Sequence, residues 1–233
     1  MKRYKAILID WDDTIGDFSH AAQKSLQAMY DKHELARCFS SFEQFFEVYE
    51  AHNLDLWRRY GIDEVTKDYL EFDRMFYPLC MAETPLPQEE TIRLAKQMQE
   101  EHLTMTTHFF SLLPDAAEVV HYLSARYPLV VLSNGFVSVQ YQKIERSGLR
   151  DCFADIVLSE EVGCQKPNPR IYEIALERGG WQADEVLMIG DSWNSDIQGA
   201  IAAGIDQMWI HEGETDLPST YKVAYLRDVM SLL

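Results

Sequence analysis

The stretch Ala6-Ile7-Leu8-Ile9-Asp10-Trp11-Asp12-Asp13-Thr14 decides the fold. Its apolar start reads as a buried strand, and it ends in three carboxylates within four residues, where the chain must leave the core and meet solvent. Carboxylates about 4 Å apart repel by about 4 kcal/mol at an effective dielectric near 20, so they need protons, basic partners or a divalent cation to sit together. Such an arrangement serves a cation site better than it serves a core.

Beyond Ser111 strands and helices alternate. Pro114-Asp115 opens a predicted helix over 114–126, and 128–132 is a second apolar strand ending in Ser133-Asn134-Gly135. A helix reaching Ser147-Gly148, a strand over 154–158 and a helix over 169–178 closed by Gly179-Gly180 come next. The strand over 185–190 leads into Asp191, and a helix over 194–203 leads to a strand over 206–210. After Gly213 the pattern weakens to a short edge strand near Val223 and a last helical turn. Alternation of this kind predicts an α/β fold with a doubly wound parallel sheet, whose ligand site lies outside the carboxyl ends of the strands. Asp10, Asp12, Ser133 and Asp191 then form one constellation.

Between the first two strands the spacing is helical throughout. Phe42, Phe45, Phe46, Tyr49, Trp57, Tyr60, Tyr69, Phe72 and Phe76 recur at intervals that suit packed amphipathic helices, with breaks at Asn53, at Gly61 and over 83–87. The expected organisation is a core of residues 1–16 and 109–233 with an all-helical insert over 17–108, in which most of the aromatic residues serve the insert's own core.

The chain has 233 residues, 47% hydrophobic and 25% charged, and a formal net charge of -17. That charge argues against a nucleic acid polymer as partner, while a small anion stays possible where a cation reverses the local field. Cys38, Cys80, Cys152 and Cys164 form no CxxC pair and read as reduced thiols of a cytoplasmic protein. The apolar run behind Met1-Lys2-Arg3-Tyr4-Lys5 is too short for a signal peptide, and no stretch is long enough for a membrane span.

Asp10-Trp11-Asp12-Asp13-Thr14 resembles the D-x-D-x-T motif of the haloacid dehalogenase superfamily. Ser133, Lys166-Pro167 in the loop 163–169, and Gly190-Asp191-Ser192-Trp193-Asn194-Ser195-Asp196 follow in that family's order. The resemblance implies a Rossmann-like core with an inserted helical cap that closes over substrate. It also implies Mg²⁺ held by Asp10, the backbone carbonyl of Asp12, and Asp191, with Ser192 and Asp196 behind them. In this reading Asp10 attacks phosphorus and forms an aspartyl-phosphate, and Asp12 protonates the leaving group and later takes a proton from water. Ser133, Asn134 and Lys166 hold the phosphoryl oxygens. Asp13 stands where many relatives carry glycine, and it either tunes the metal site or caps the turn.

Asp12 and Asp191 argue against dehalogenation, which needs neither a second acid nor a metal. A phosphonatase would need an insert lysine, and Lys67 is the candidate in the middle of the insert, with nothing special about it. A receiver module carries its aspartate after a middle strand and has no helical insert. The segment from Asn53 to Ile62, with Thr66, Tyr69 and Leu70, is similar to the cap of the pyrimidine 5'-nucleotidase group. Trp57 or a neighbouring aromatic is placed there to stack on a base, and either Arg58 or Arg59 reaches a polar group or both line a solvated helix face. The expectation is a Mg²⁺-dependent phosphomonoesterase acting on a small phosphorylated metabolite, with nucleoside 5'-monophosphates favoured over a sugar phosphate and over a phosphomutase reaction. As partners it expects no nucleic acid and no membrane, and it expects a monomer or weak homodimer.

Overall fold

The computed structural model describes residues 3–233. Two compact units emerge, one made of the chain up to Phe18 together with Phe110–Leu233, the other of Ser19–Phe109. Strand β1 is Ala6–Ile9. The helices α1 Phe18–Lys32, α2 Phe42–Tyr60, α3 Lys67–Cys80 and α4 Gln88–His108 come next. After them run α5 Ala116–Ser124, β2 Leu129–Ser133, α6 Val137–Ser147 and β3 Asp155–Leu158. The chain continues through a helical turn, α7 Ser159–Val162, then α8 Pro169–Gly179, β4 Val186–Gly190, α9 Gln198–Ala202, β5 Asp206–Ile210, β6 Tyr221–Val223 and α10 Val229–Leu232.

The strands form one six-stranded sheet in the order β3-β2-β1-β4-β5-β6, with every pairing parallel. Because successive side chains point to opposite faces, β1 serves two cores at once. Ile7 and Ile9 join Val131, Leu187, Ile189 and the α5 residues Val119 and Leu123 on one face. Ala6 and Leu8 join Val130, Leu132, Met188 and the helical residues Ile171, Tyr172 and Ala200 on the other. A sheet buried on both faces has its remaining polar outlet at the strand ends, which is where the acidic residues stand.

The second unit is helical and buries Leu26, Met29, Phe45, Met75, Leu79, Leu94 and Met98 in its own core. Ser41 and Thr66 cap α2 and α3, accepting from the N–H groups of Gln44 at 3.3 Å and Tyr69 at 3.2 Å. The break expected at Asn53 does not occur, since α2 runs through it. An interior asparagine costs well under about 1 kcal/mol relative to alanine, less than the burial of Phe45, Tyr49 and Leu56 on the same helix contributes.

Two further boundaries differ from the sequence reading. Helix α5 starts at Ala116 because Asp115 has φ 63, a left-handed conformation that cannot continue a helix inward. The helix expected over 194–203 opens as a π-helical turn, Trp193–Ile197, before α9. Turns of this kind often mark functional positions, and here one carries Asp196. No helix among the described residues is long and apolar enough to cross a membrane.

Candidate active site

Asp10 follows β1 directly, and its N–H donates to the carbonyl of Ile189 at 2.9 Å, so the β1–β4 ladder fixes its backbone. Asp191 follows β4 in the same way. Its carbonyl accepts from Trp209 Nε1 at 2.7 Å and its Oδ1 from the Thr14 hydroxyl at 2.9 Å. Asp196 completes a trio, with one carboxylate oxygen from each of Asp10, Asp191 and Asp196 lying within 4.8 Å of the others. Gly190 makes this possible, because a Cβ there would collide with the Asp196 carboxylate.

Lys166, from the loop before α8, reaches between two of these acids. Its Nζ lies 2.5 Å from Asp10 Oδ1 and 2.7 Å from Asp196 Oδ1. The other oxygen of Asp196 accepts from the Ser192 N–H at 3.0 Å, and Ser192 Oγ accepts from the Ser195 N–H at 3.3 Å. Asn134 sets the lysine's position. Its Nδ2 donates to the Lys166 carbonyl at 2.9 Å and its Oδ1 accepts from the Lys166 N–H at 2.8 Å, so its carboxamide is engaged by this backbone.

Burial pushes the Asp10 carboxyl well above its usual range, the Lys166 charge opposes the rise, and the charges of Asp196 and Asp191 add to it. Asp191 is pushed up to about 7, by burial first and then by Asp196, against the hydrogen bond from Thr14. Burial alone would lower Lys166, but the charges and hydrogen bonds of Asp10 and Asp196 carry it above the usual lysine value. Asp10 and Asp196 thus share one ammonium, and Asp10 and Asp191 hold protons more tightly than exposed acids do. Such a set of hard oxygen donors short of positive charge fits a divalent cation.

Asp12 is placed apart from the trio. Its Oδ1 accepts from Lys143 Nζ at 2.7 Å and its Oδ2 from Gln140 Nε2 at 3.2 Å. Gln140 also donates to Ser133 Oγ at 2.8 Å, and that oxygen accepts from the Gly135 N–H at 3.1 Å. Gln140 and Lys143 escaped the sequence reading, which names Lys166 as the basic residue of the site. A signal existed. In α6 the buried residues are Val139, Gln140, Lys143 and Ile144, so two polar side chains occupy the inward stripe of an amphipathic helix.

Asp13 adopts φ 62, and its N–H donates to the Gly16 carbonyl at 2.7 Å in a turn where Ile15 and Gly16 both donate to the Trp11 carbonyl. This left-handed backbone is one that glycine adopts without strain, so a glycine would suit the position as well as Asp13 does. The charge of Asp13 also adds to the rise at Asp191, so the residue acts on both turn and site. In the helical unit, Trp57 lies 5.8 Å from Tyr60, Arg58 pairs with Asp55 at 2.9 Å and Arg59 with Glu64 at 3.4 Å.

The sequence pattern of the haloacid dehalogenase-like hydrolases matches residues 4–204. The chain belongs to this family. The putative HAD-hydrolase YfnB of Bacillus subtilis (strain 168) is 27% identical over 238 residues, covering 100% of this chain and 97% of that one. A crystal structure of YfnB bound to magnesium superposes with a TM-score of 0.87 at 26% identity, covering 99% of each chain. The pyrimidine 5'-nucleotidase YjjG of Escherichia coli (strain K12) is 29% identical over 232 residues, covering 97% of this chain and 96% of YjjG. A glyceraldehyde 3-phosphate phosphatase of Methanothermobacter thermautotrophicus is 30% identical over 215 residues, covering 91% and 88%. As a haloacid dehalogenase-like hydrolase with such relatives, the protein is an enzyme of the family's phosphatase kind.

Proposed function

We propose that this haloacid dehalogenase-like phosphatase is a Mg²⁺-dependent phosphomonoesterase that works through an aspartyl-phosphate at Asp10, with nucleoside 5'-monophosphates as its favoured substrates. The reading rests on one juxtaposition: a buried aspartate at a strand end, 2.5 Å from a buried lysine, inside a trio of carboxylates. In the first step a carboxylate oxygen of Asp10 bonds to phosphorus, the bond from phosphorus to the substrate oxygen breaks, and that oxygen takes a proton from Asp12. In the second step water attacks phosphorus and gives its proton to Asp12, while Asp10 is released with inorganic phosphate. Lys166 and Ser133 hold the phosphoryl oxygens as charge develops on them, with backbone N–H groups near Asn134. Mg²⁺ held by Asp10, Asp191 and the Asp12 carbonyl would neutralise the charge brought together by phosphate and carboxylates.

Asp10, Asp191 and Lys166 deal with a phosphoryl group and do not distinguish one ester from another. The preference for nucleotides is supported by the likeness of residues 53–62, Thr66, Tyr69 and Leu70 to the pyrimidine 5'-nucleotidase cap, and by the relative YjjG. The glyceraldehyde 3-phosphate phosphatase relative supports sugar phosphates as the second reading. Phosphate release from UMP, CMP, AMP and glyceraldehyde 3-phosphate, in Mg²⁺ or in EDTA, tests these points. Pyrimidine nucleotides should react fastest, EDTA should abolish turnover, and Asp10→Asn should lose at least about a thousandfold while staying folded. Full turnover in EDTA contradicts the metal requirement, undiminished Asp10→Asn contradicts the nucleophile, and much faster cleavage of the sugar phosphate contradicts the substrate class.

A further inference from the structure

We propose that Lys143 and Gln140 are positioning residues for Asp12, a clamp from helix α6 that aims the carboxylate which moves the proton. The inference rests on the phosphatase reading above. Neither residue belongs to the motif segments that carry the family resemblance, yet both are buried, with Gln140 0% and Lys143 2% exposed. A lysine inside a core is rare unless something there needs its charge. Here Nζ is 2.7 Å from Asp12 Oδ1, and the ring centre of Phe18 lies 4.4 Å away on another side.

The geometry divides the work. Lys143 holds one oxygen of Asp12 and Gln140 the other, so the carboxylate plane cannot turn without losing a partner. Gln140 links the same carboxylate to Ser133, whose hydroxyl stands at the end of β2, so the proton carrier and the phosphoryl pocket are set by one side chain. In this arrangement Gln140 Oε1 is buried without a hydrogen-bond partner among the described residues. Evolution seldom leaves a buried polar atom unpaired, and such exceptions often trace to function. Gly135 makes room for this amide, since a Cβ at that position would lie 2.7 Å from Gln140 Cδ. The Phe18 ring face supports the ammonium whether Asp12 carries the proton or not, so the clamp survives both halves of the reaction.

A clamp that serves proton transfer is distinguished from ordinary packing by the leaving group. An alkoxide leaving from UMP needs the proton of Asp12, whereas p-nitrophenolate leaves from p-nitrophenyl phosphate without one. The value of kcat/KM reports this first step for each substrate. Lys143→Met should lower kcat/KM for UMP by about thirtyfold or more and for p-nitrophenyl phosphate by less than about threefold. Lys143→Arg should recover much of the UMP loss, and Gln140→Leu should show the same split with a smaller amplitude. If Lys143→Met does not fold, the split in Gln140→Leu decides. Equal losses on both substrates overturn the clamp and leave the phosphatase reading standing. Wild-type protein that releases phosphate from neither substrate overturns the phosphatase reading itself.

Discussion

Asp191 shows how one residue couples stability, pH and cation binding. Its carboxyl holds a proton up to about pH 7 in the folded chain, whereas an unfolded carboxylate loses it near pH 3.9. Between those values the folded state binds the extra proton, so the contribution of Asp191 to stability is full below about pH 4 and is lost as pH rises to about 7. A divalent cation competes for the same oxygens, and its affinity should strengthen as the proton leaves. In EDTA the melting midpoint should therefore fall by a few degrees more between pH 5 and pH 8 in wild type than in Asp191→Asn, and calorimetry should find Mg²⁺ bound more tightly at pH 8 than at pH 6. Parallel midpoint profiles for the two proteins, or pH-independent Mg²⁺ binding, would contradict this role. Asp10 is raised for the same leading reason, burial, so its contribution has the same sign.

At the scale of elements, the end of β4 and the π-helical turn after it form a single device. Asp196 is fully buried against Gly190, with Lys166 on one carboxylate oxygen and the Ser192 N–H on the other. Gly190→Ala should destabilise the protein by about 2–3 kcal/mol in urea unfolding, because the methyl group must displace the Asp196 carboxylate or the strand end. A loss below about 0.5 kcal/mol would show that the contact yields easily. This device was only half legible in the sequence. The apolar run leading to Gly190 and the acid after it announced a strand end, but no local pattern says that Asp196 turns back into the core. Helix α6 was legible from its stop at Gly148, which has φ 72, while its inward Gln140 and Lys143 were hidden because polar residues on an apolar stripe look like noise until a partner such as Asp12 is seen. Asn53 misled for the opposite reason, since a weak local preference yields to packing along α2.

Across the whole molecule, the change from strand-and-helix alternation to purely helical spacing made the inserted unit legible, and the buried faces of β1, β2 and β4 fixed where polar residues could emerge. Lys166 was legible only through its family resemblance, since nothing in the loop 163–169 marks the lysine as buried beside Asp10. With a net charge of -17, the chain gathers further negative charge at its strand ends, which suits a site that takes an anion only along with positive charge of its own. The central claim is that Asp10 itself carries the phosphoryl group. Enzyme mixed with UMP and Mg²⁺, quenched in acid within a turnover and digested, should yield the peptide containing Asp10 with one added phosphoryl group, removable by hydroxylamine and absent from Asp10→Asn. Turnover at a measurable rate with no such adduct, or with the adduct on another residue, would contradict it.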